Sequence, residues 1–123
     1  MERILVVDDD KKILDIVARM LADAGYEVHC TEDSEKAVEL AGEVKPDLAI
    51  FDLMMPGLDG FGLVEKLRAR PDLAKTPCMF LTAKDVSPNL NRARALGAVA
   101  YVEKPFSKEQ VLVLIRSLLS QKK

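Results

Sequence analysis

Apolar residues along this chain fall into two alternating patterns. Continuous runs rich in Val, Ile and Leu are typical of strands that are buried on both faces of a sheet. Between these runs, apolar residues recur every three or four positions, which indicates helices with one face packed on a core. Such runs predict strands over residues 4–7, 48–51, 78–82 and 99–102, and a further strand is predicted over residues 26–31, which makes five.

Capping residues mark the ends of the predicted helices. Asp10 is a candidate N-cap for the first helix, and Gly25 follows its end. Ser107 and Gln110 have the spacing of a capping box at the start of the last helix. Five helices are predicted, over residues 11–24, 34–43, about 59–70, 87–97 and from 108 onwards.

Strand and helix alternate five times, which predicts one α/β domain over residues 1–123. Such alternation favours a parallel sheet covered by helices on both faces, with right-handed crossovers. Five strands in 123 residues fit the flavodoxin-like strand order 2-1-3-4-5 better than the dinucleotide-binding order. The predicted architecture is therefore a (βα)5 three-layer sandwich of the flavodoxin-like type.

Polar residues that could carry chemistry follow the predicted strands at their carboxyl ends, where open parallel sheets bind and react. Asp8 and Asp9 follow strand one, Asp52 strand three, Thr82 ends strand four and Lys104 follows strand five. Adjacent strands lie ~4.8 Å apart, so the three carboxylates are expected to cluster, with the lysine about 10 Å away before its stem bends inward. Clustered carboxylates need a compensating charge. A hard cation with oxygen ligands, Mg²⁺ above all, would supply it.

Composition excludes several other classes of function. A net charge of −2 indicates neither a broad nucleic-acid surface nor a basic membrane patch. No apolar stretch approaches the ~20 residues of a membrane span, and the start is unlike a signal peptide. Cys30 and Cys78 lack metal-ligand spacing, so two free, packed thiols in a reducing cytoplasm are expected. The one histidine, His29, lies mid-strand as a structural or surface residue, so a phosphohistidine would have to come from another protein.

Four linked motifs resemble those of response regulator receiver domains. They are the run Ile-Leu-Val-Val-Asp-Asp-Asp at residues 4–10, the segment 52–60, Leu-Thr-Ala at 81–83, and the stretch 97–106 with Tyr101 and Lys-Pro-Phe. The resemblance spans essentially the whole chain in the right order and spacing. It implies two-component signalling by a switch that assists its own phosphorylation and dephosphorylation, rather than a metabolic enzyme.

The resemblance also implies roles for individual residues. Asp52 would accept a phosphoryl group from a histidine of a sensor kinase or a phosphotransfer protein. Asp9, Asp52 and the backbone carbonyl of Met54 would bind Mg²⁺ directly, and Asp8 would act through water. No organic cofactor is implied.

Two further residues would complete the phosphorylation site and one would report on it. Thr82 would donate its hydroxyl to the phosphoryl oxygen, and Lys104 would neutralise charge on the phosphoryl group. Tyr101 would turn inward as Thr82 moves. The signal would then pass to an unidentified protein, or to a second copy in a homodimer, through the fourth helix, fifth strand and last helix. Val113 is predicted to be exposed on that last helix.

Sequence alone leaves two other classes of function open. A phosphohydrolase of the haloacid dehalogenase type would use Asp8 as nucleophile, but Lys11 stands where that motif expects Thr or Val, and the chain is short for such an enzyme. A flavodoxin-like flavin binder would need a hydroxyl-rich phosphate loop after strand one, where this chain has three aspartates. The receiver interpretation is favoured, either as a stand-alone domain or as part of a longer protein.

The lifetime of the phosphoryl group can also be predicted. Hydrolysis of an aspartyl phosphate needs a water molecule placed in line with the breaking bond. In receiver domains the residues two past the phosphoacceptor and two past the conserved hydroxyl flank that path; here they are Met54 and Lys84. Neither carries a carboxamide or carboxylate that would orient water, so a long-lived phosphoryl group is expected.

Overall fold

The computed structural model describes residues 2–53, 59–82, 91, 95, 98–103 and 105–121. The predicted fourth helix, over residues 87–97, lies almost entirely outside this part of the chain. In the described part, no helix combines the length and the apolar character needed to cross a membrane. The elements are β1 (Arg3–Val7), α1 (Lys11–Asp23), β2 (Glu27–Thr31), α2 (Ser34–Val44), β3 (Leu48–Phe51), α3 (Gly60–Ala69), β4 (Cys78–Thr82), β5 (Ala98–Glu103) and α4 (Lys108–Gln121).

All five strands form one parallel sheet in the order β2-β1-β3-β4-β5. The predicted flavodoxin-like α/β fold is therefore confirmed. The predicted limits of the third and fourth strands agree with β3 and β4 to the residue. These strands are continuous apolar runs between polar or turn residues, which is why their ends could be predicted so closely.

Helices cover both faces of the sheet, so the molecule has two hydrophobic cores. One core packs α2 and α3 on the sheet and contains the aromatic residues Phe51, Phe61 and Phe80. The other packs α1 and α4 on the opposite face and is built almost wholly from aliphatic side chains such as Val17 and Ile115. Alternate residues of the central strands point into opposite cores, which explains why these strands are apolar throughout.

Capping residues hold the helix ends largely as predicted. The carboxylate of Asp10 accepts a hydrogen bond from the Lys12 amide at 3.0 Å and so caps α1. Gly25, just beyond that helix, has a positive φ of 96°, which glycine adopts without strain. The hydroxyl of Ser107 accepts from the Gln110 amide at 3.1 Å at the start of α4.

Two surface positions differ from the predictions or extend them. Both cysteines are free as predicted, and Cys78 is buried, but Cys30 is exposed. The prediction that both thiols are packed was therefore wrong for Cys30, because β2 is an edge strand with one side open. Val113 is exposed on α4 as predicted, whereas the equally exposed Ile16 on α1 was not anticipated.

Candidate functional site

The candidate site begins where two neighbouring central strands end. Val7 of β1 and Phe51 of β3 are register partners, so the next residues, Asp8 and Asp52, leave the sheet side by side. The amide of Asp52 donates to the carbonyl of Val7 at 3.1 Å, which extends the strand pairing to the aspartate itself. The positions of the two carboxylates are therefore set by the sheet.

Three carboxylates meet at this point. Carboxylate oxygens of Asp8, Asp9 and Asp52 all lie within 4.8 Å of one another. Asp8 is only 2% exposed and Asp52 only 7%, whereas Asp9 faces solvent. The sheet thus brings together the three aspartates that the sequence analysis singled out as metal ligands.

The shape of the loop after β1 depends on one of these carboxylates. An oxygen of Asp8 accepts a hydrogen bond from the Asp10 amide at 2.9 Å, so Asp8 both belongs to the cluster and holds the turn that leads into α1. Ionised carboxylates this close favour the binding of a cation. An incomplete set of carboxylate oxygens, open to water on the Asp9 side, has the chemistry that Mg²⁺ requires. The residues present therefore fit a magnesium ion.

Of the other half of the predicted site, only the backbone of Thr82 belongs to the described residues. Thr82 ends β4 and is the register partner of Glu103 in β5, so Lys104 comes directly after the residue opposite Thr82. The side chain of Thr82, together with Met54 and Lys104, lies outside the described residues. Their predicted roles stay predictions.

Tyr101 lies on β5 and is 37% exposed. It borders an open groove between β5 and α4, whose walls include Val102, Gln110, Val113 and Leu114. Val113 is 56% exposed in this groove. An aromatic ring and an aliphatic side chain on one open surface are suited to a protein contact.

His29 lies away from the cluster, in the edge strand β2. Its Nε2 is 2.7 Å from a carboxylate oxygen of Glu27, and this hydrogen bond is the main reason why the pKa of Glu27 is lowered. The histidine therefore belongs to a surface pair, in agreement with the prediction of a structural or surface role.

The sequence did not reveal that one further residue, Gly60, lies against the site. Gly60 lies at the start of the helix predicted over about residues 59–70, and it does begin α3. It is also buried against the backbone of Asp52 and Leu53, which no local pattern in the sequence indicates. A glycine at the buried start of a helix can have many causes, so the sequence around Gly60 gives only a weak signal of this close approach.

Comparisons with known proteins agree with this geometry. The model of the response regulator receiver domain matches residues 4–116. The chemotaxis protein CheY4 of Vibrio cholerae has a similar structure, with a TM-score of 0.91 and 32% identity over 96% of this chain and 98% of that one. The receiver domain of the Francisella response regulator 1452 is also similar, with a TM-score of 0.89 and 30% identity over 100% of both chains.

A third structure shows that the likeness is broad. A CheY-like receiver domain protein from Methanospirillum hungatei has a TM-score of 0.91 and 29% identity, over 98% of this chain and 95% of that one. The resemblance stated from the four motifs is thereby confirmed. This chain belongs to the family of response regulator receiver domains, the phosphoacceptor switches of two-component signalling.

Proposed function

We propose that this receiver domain takes a phosphoryl group onto Asp52 from a phosphohistidine of a sensor kinase or phosphotransfer protein. The observation that carries the proposal is the cluster of Asp8, Asp9 and Asp52 at the ends of β1 and β3. In the transfer, a carboxylate oxygen of Asp52 attacks phosphorus and forms an O–P bond. The P–N bond breaks as this bond forms, and its electron pair returns to the imidazole nitrogen of the donor.

The residues around Asp52 would hold the metal that this chemistry needs. Asp9, Asp52 and the carbonyl of Met54 are proposed as direct ligands, with Asp8 acting through water. Mg²⁺ bound there supplies positive charge to the phosphoryl oxygens. Asp8 has a second task that its contacts support, because its hydrogen bond to the Asp10 amide keeps the loop in the shape that presents Asp9.

The groups on strands four and five would stabilise and report the phosphorylated state. Lys104 is proposed to neutralise the phosphoryl group and Thr82 to donate a hydrogen bond to it. Since Thr82 and Tyr101 lie on paired neighbouring strands, a shift of the threonine can change the packing of the tyrosine. Tyr101 already borders the open groove with Val113, so its movement would alter the surface offered to a partner.

Locating the added mass would test the proposal. The protein is incubated with acetyl phosphate and Mg²⁺, and peptide mass spectrometry then finds the phosphorylated residue. We expect one phosphoryl group on Asp52, formed only with Mg²⁺, and none in the Asp52→Asn variant, whose circular dichroism should match that of the parent. The variant Asp72→Asn, changed at an exposed aspartate remote from the cluster, is the matched control.

Two results would overturn the proposal. Phosphorylation of Asp8 instead of Asp52 would point to the phosphohydrolase chemistry of the haloacid dehalogenase type. Incorporation that continues unchanged in excess chelator would contradict the role of the metal. Gel filtration of the same samples would show whether phosphorylation converts a monomer into the proposed homodimer.

A further inference from the structure

Gly60 is the buried first residue of α3, where the chain returns to the end of β3. We propose that Gly60 is a positioning residue for phosphorylation: its missing side chain lets α3 approach the backbone of Asp52 and hold that carboxylate in the cluster. This inference rests on the proposed function of Asp52.

The space at Gly60 is closed on three sides. A Cβ at this position would lie 2.7 Å from the carbonyl oxygen of Asp52, 3.0 Å from the Cα of Leu53 and 3.1 Å from Cε1 of Phe80. The first two atoms belong to the backbone and cannot rotate away. The third belongs to a ring that is itself only 1% exposed. Any side chain at position 60 would therefore have to displace a neighbour.

The start of α3 is anchored by two hydrogen bonds and an aromatic contact. The Gly60 amide donates to the Leu53 carbonyl at 3.2 Å, and the carboxylate of Asp59 accepts from the Gly62 amide at 2.8 Å as the helix cap. The next residue, Phe61, packs edge-on against Phe80 with 5.2 Å between ring centroids. Because the helix start is anchored in this way, the strain of an added methyl group would fall largely on Asp52 and Leu53.

A small displacement at Asp52 is expected to matter for the metal. The Asp52 amide is hydrogen-bonded to the Val7 carbonyl on one side of the Cα, so a push on the Asp52 carbonyl from the other side would displace that Cα and shift the carboxylate relative to Asp8 and Asp9. Mg²⁺ accepts only near-octahedral arrangements with short bonds to oxygen. Helix propensity alone would favour alanine over glycine at position 60. The close approach of the Asp52 backbone, and not the helix, therefore explains why glycine is found at this position.

Gly42 in α2 provides a matched control. A Cβ there would come within 2.6 Å of Nη1 of Arg70, but this atom is the far end of a long side chain that can move aside. Gly42→Ala thus makes the same chemical change in a helix without pressing on any backbone. A second control, Asp59→Ala, removes the cap of α3 and weakens the helix start while leaving the space at Gly60 open.

Calorimetric titration with Mg²⁺, without any phosphodonor, is the first test. We expect Gly60→Ala to bind Mg²⁺ at least about tenfold more weakly than the parent, while Gly42→Ala and Asp59→Ala stay within about twofold. The initial rate of phosphorylation by acetyl phosphate should fall in parallel. In the double variant Gly60→Ala/Phe80→Leu, the smaller side chain relieves only the contact with Phe80. The methyl group still presses on the Asp52 carbonyl, so binding should stay at least about threefold weaker than in Phe80→Leu alone.

Each other outcome has a defined meaning. Parent-like Mg²⁺ affinity in Gly60→Ala, or an equal loss in Asp59→Ala, would overturn the positioning role. If Gly60→Ala does not fold, the double variant is compared with Phe80→Leu alone: at least threefold weaker binding supports the inference and equal binding overturns it. If the parent itself binds no Mg²⁺ and takes no phosphoryl group on Asp52, the proposed function fails and the inference fails with it.

Discussion

Central and edge strands of this sheet differ sharply in exposure. In β1, β3 and β4, residues 4–7, 48–51 and 78–81 are each at most 2% exposed. In the edge strands, Cys30 of β2 and Tyr101 of β5 face solvent. The acidic cluster grows from the ends of two central strands, whereas the groove proposed as a signalling surface lies along an edge strand.

This difference follows from what each region has to do. A cluster of like charges keeps its geometry only if its backbone is prevented from relaxing, and strands packed on both faces provide that restraint. A surface that changes its contacts on phosphorylation needs a side chain that can move without disrupting a core. Burial at the centre and exposure at the edge therefore separate the proposed phosphorylation site from the proposed signalling surface.

The largest effect is expected when a carboxylate at the end of a central strand is removed. Asp8→Ala deletes one member of the cluster and leaves the Asp10 amide without its carboxylate partner. Magnesium affinity should fall by about 10–100-fold, as for other groups that orient metal ligands. Calorimetric titration measures this directly, with Asp33→Ala beyond the edge strand β2 as control. Equal losses in the two variants would contradict the contrast between central and edge strands.

The two cysteines should differ in reactivity almost as strongly. Burial raises the pKa of Cys78 to about 11, an effect that the nearby Arg68 only partly offsets. At pH 8 its thiolate fraction is then about 100-fold below that of a thiol with the ordinary pKa of 9.0. Burial, aided by Asp15 and Glu32, also raises the pKa of Cys30, but this thiol is exposed.

Reaction with an aromatic disulfide reagent at pH 8 would test the difference. The Cys78→Ser variant should retain the fast-reacting thiol and Cys30→Ser the slow one, which should react quickly only in denaturant. Because the pKa of Cys30 is itself raised, this thiol is not fully ionised at pH 8. Its reaction rate should therefore keep increasing as the pH rises beyond 8. Two thiols that react at the same rate in the folded protein would show that β4 is more accessible than its burial indicates.

A smaller change is expected in the lifetime of the phosphoryl group. Met54 and Lys84 follow the central strands β3 and β4 in the sequence, outside the described residues. Met54→Asn together with Lys84→Glu would introduce groups able to orient water. Loss of label should then accelerate at least about tenfold, measured on protein freed of phosphodonor. Loss from the parent within seconds would contradict the prediction of a persistent phosphoryl group.

The smallest effect on the site is expected from the edge surface. Val113→Ser should change the free energy of unfolding by no more than about 0.5 kcal/mol and leave phosphorylation unchanged within about twofold. Self-association after phosphorylation, followed by sedimentation velocity, should nevertheless weaken. Ile16→Ser is the matched control, because Ile16 is also 56% exposed but lies on α1. If Ile16→Ser weakens self-association more than Val113→Ser does, the contact surface lies on α1 instead.

Much of the fold could be predicted because its signals are local. The apolar runs of β3 and β4 end at polar residues, and the caps at Asp10 and Ser107 act within three residues along the chain. The gathering of Asp8, Asp9 and Asp52 could also be predicted, since strand order and spacing determine which strand ends meet. The roles of these residues in phosphorylation remain predictions.

What could not be predicted depends on packing between distant segments. Cys30 was expected to be packed because it lies in a predicted strand, but its exposure depends on which side of an edge strand the helices leave open. The approach of Gly60 to Asp52 depends on Phe80, which belongs to another strand. Ile16 looks like a core residue by type, and only the orientation of α1 places it outside.

β1 lies between β2 and β3 in the sheet, although β3 is the last of the three to be synthesised. A ribosome that has released the chain only through α2 has delivered Asp8 and Asp9, but Asp52 has not yet emerged. This part of the chain contains β1 and β2, which pair in the finished sheet, but it lacks Asp52, the proposed phosphoacceptor. If Asp52 is the phosphoacceptor, as proposed, the site is complete only once β3 has paired with the other side of β1.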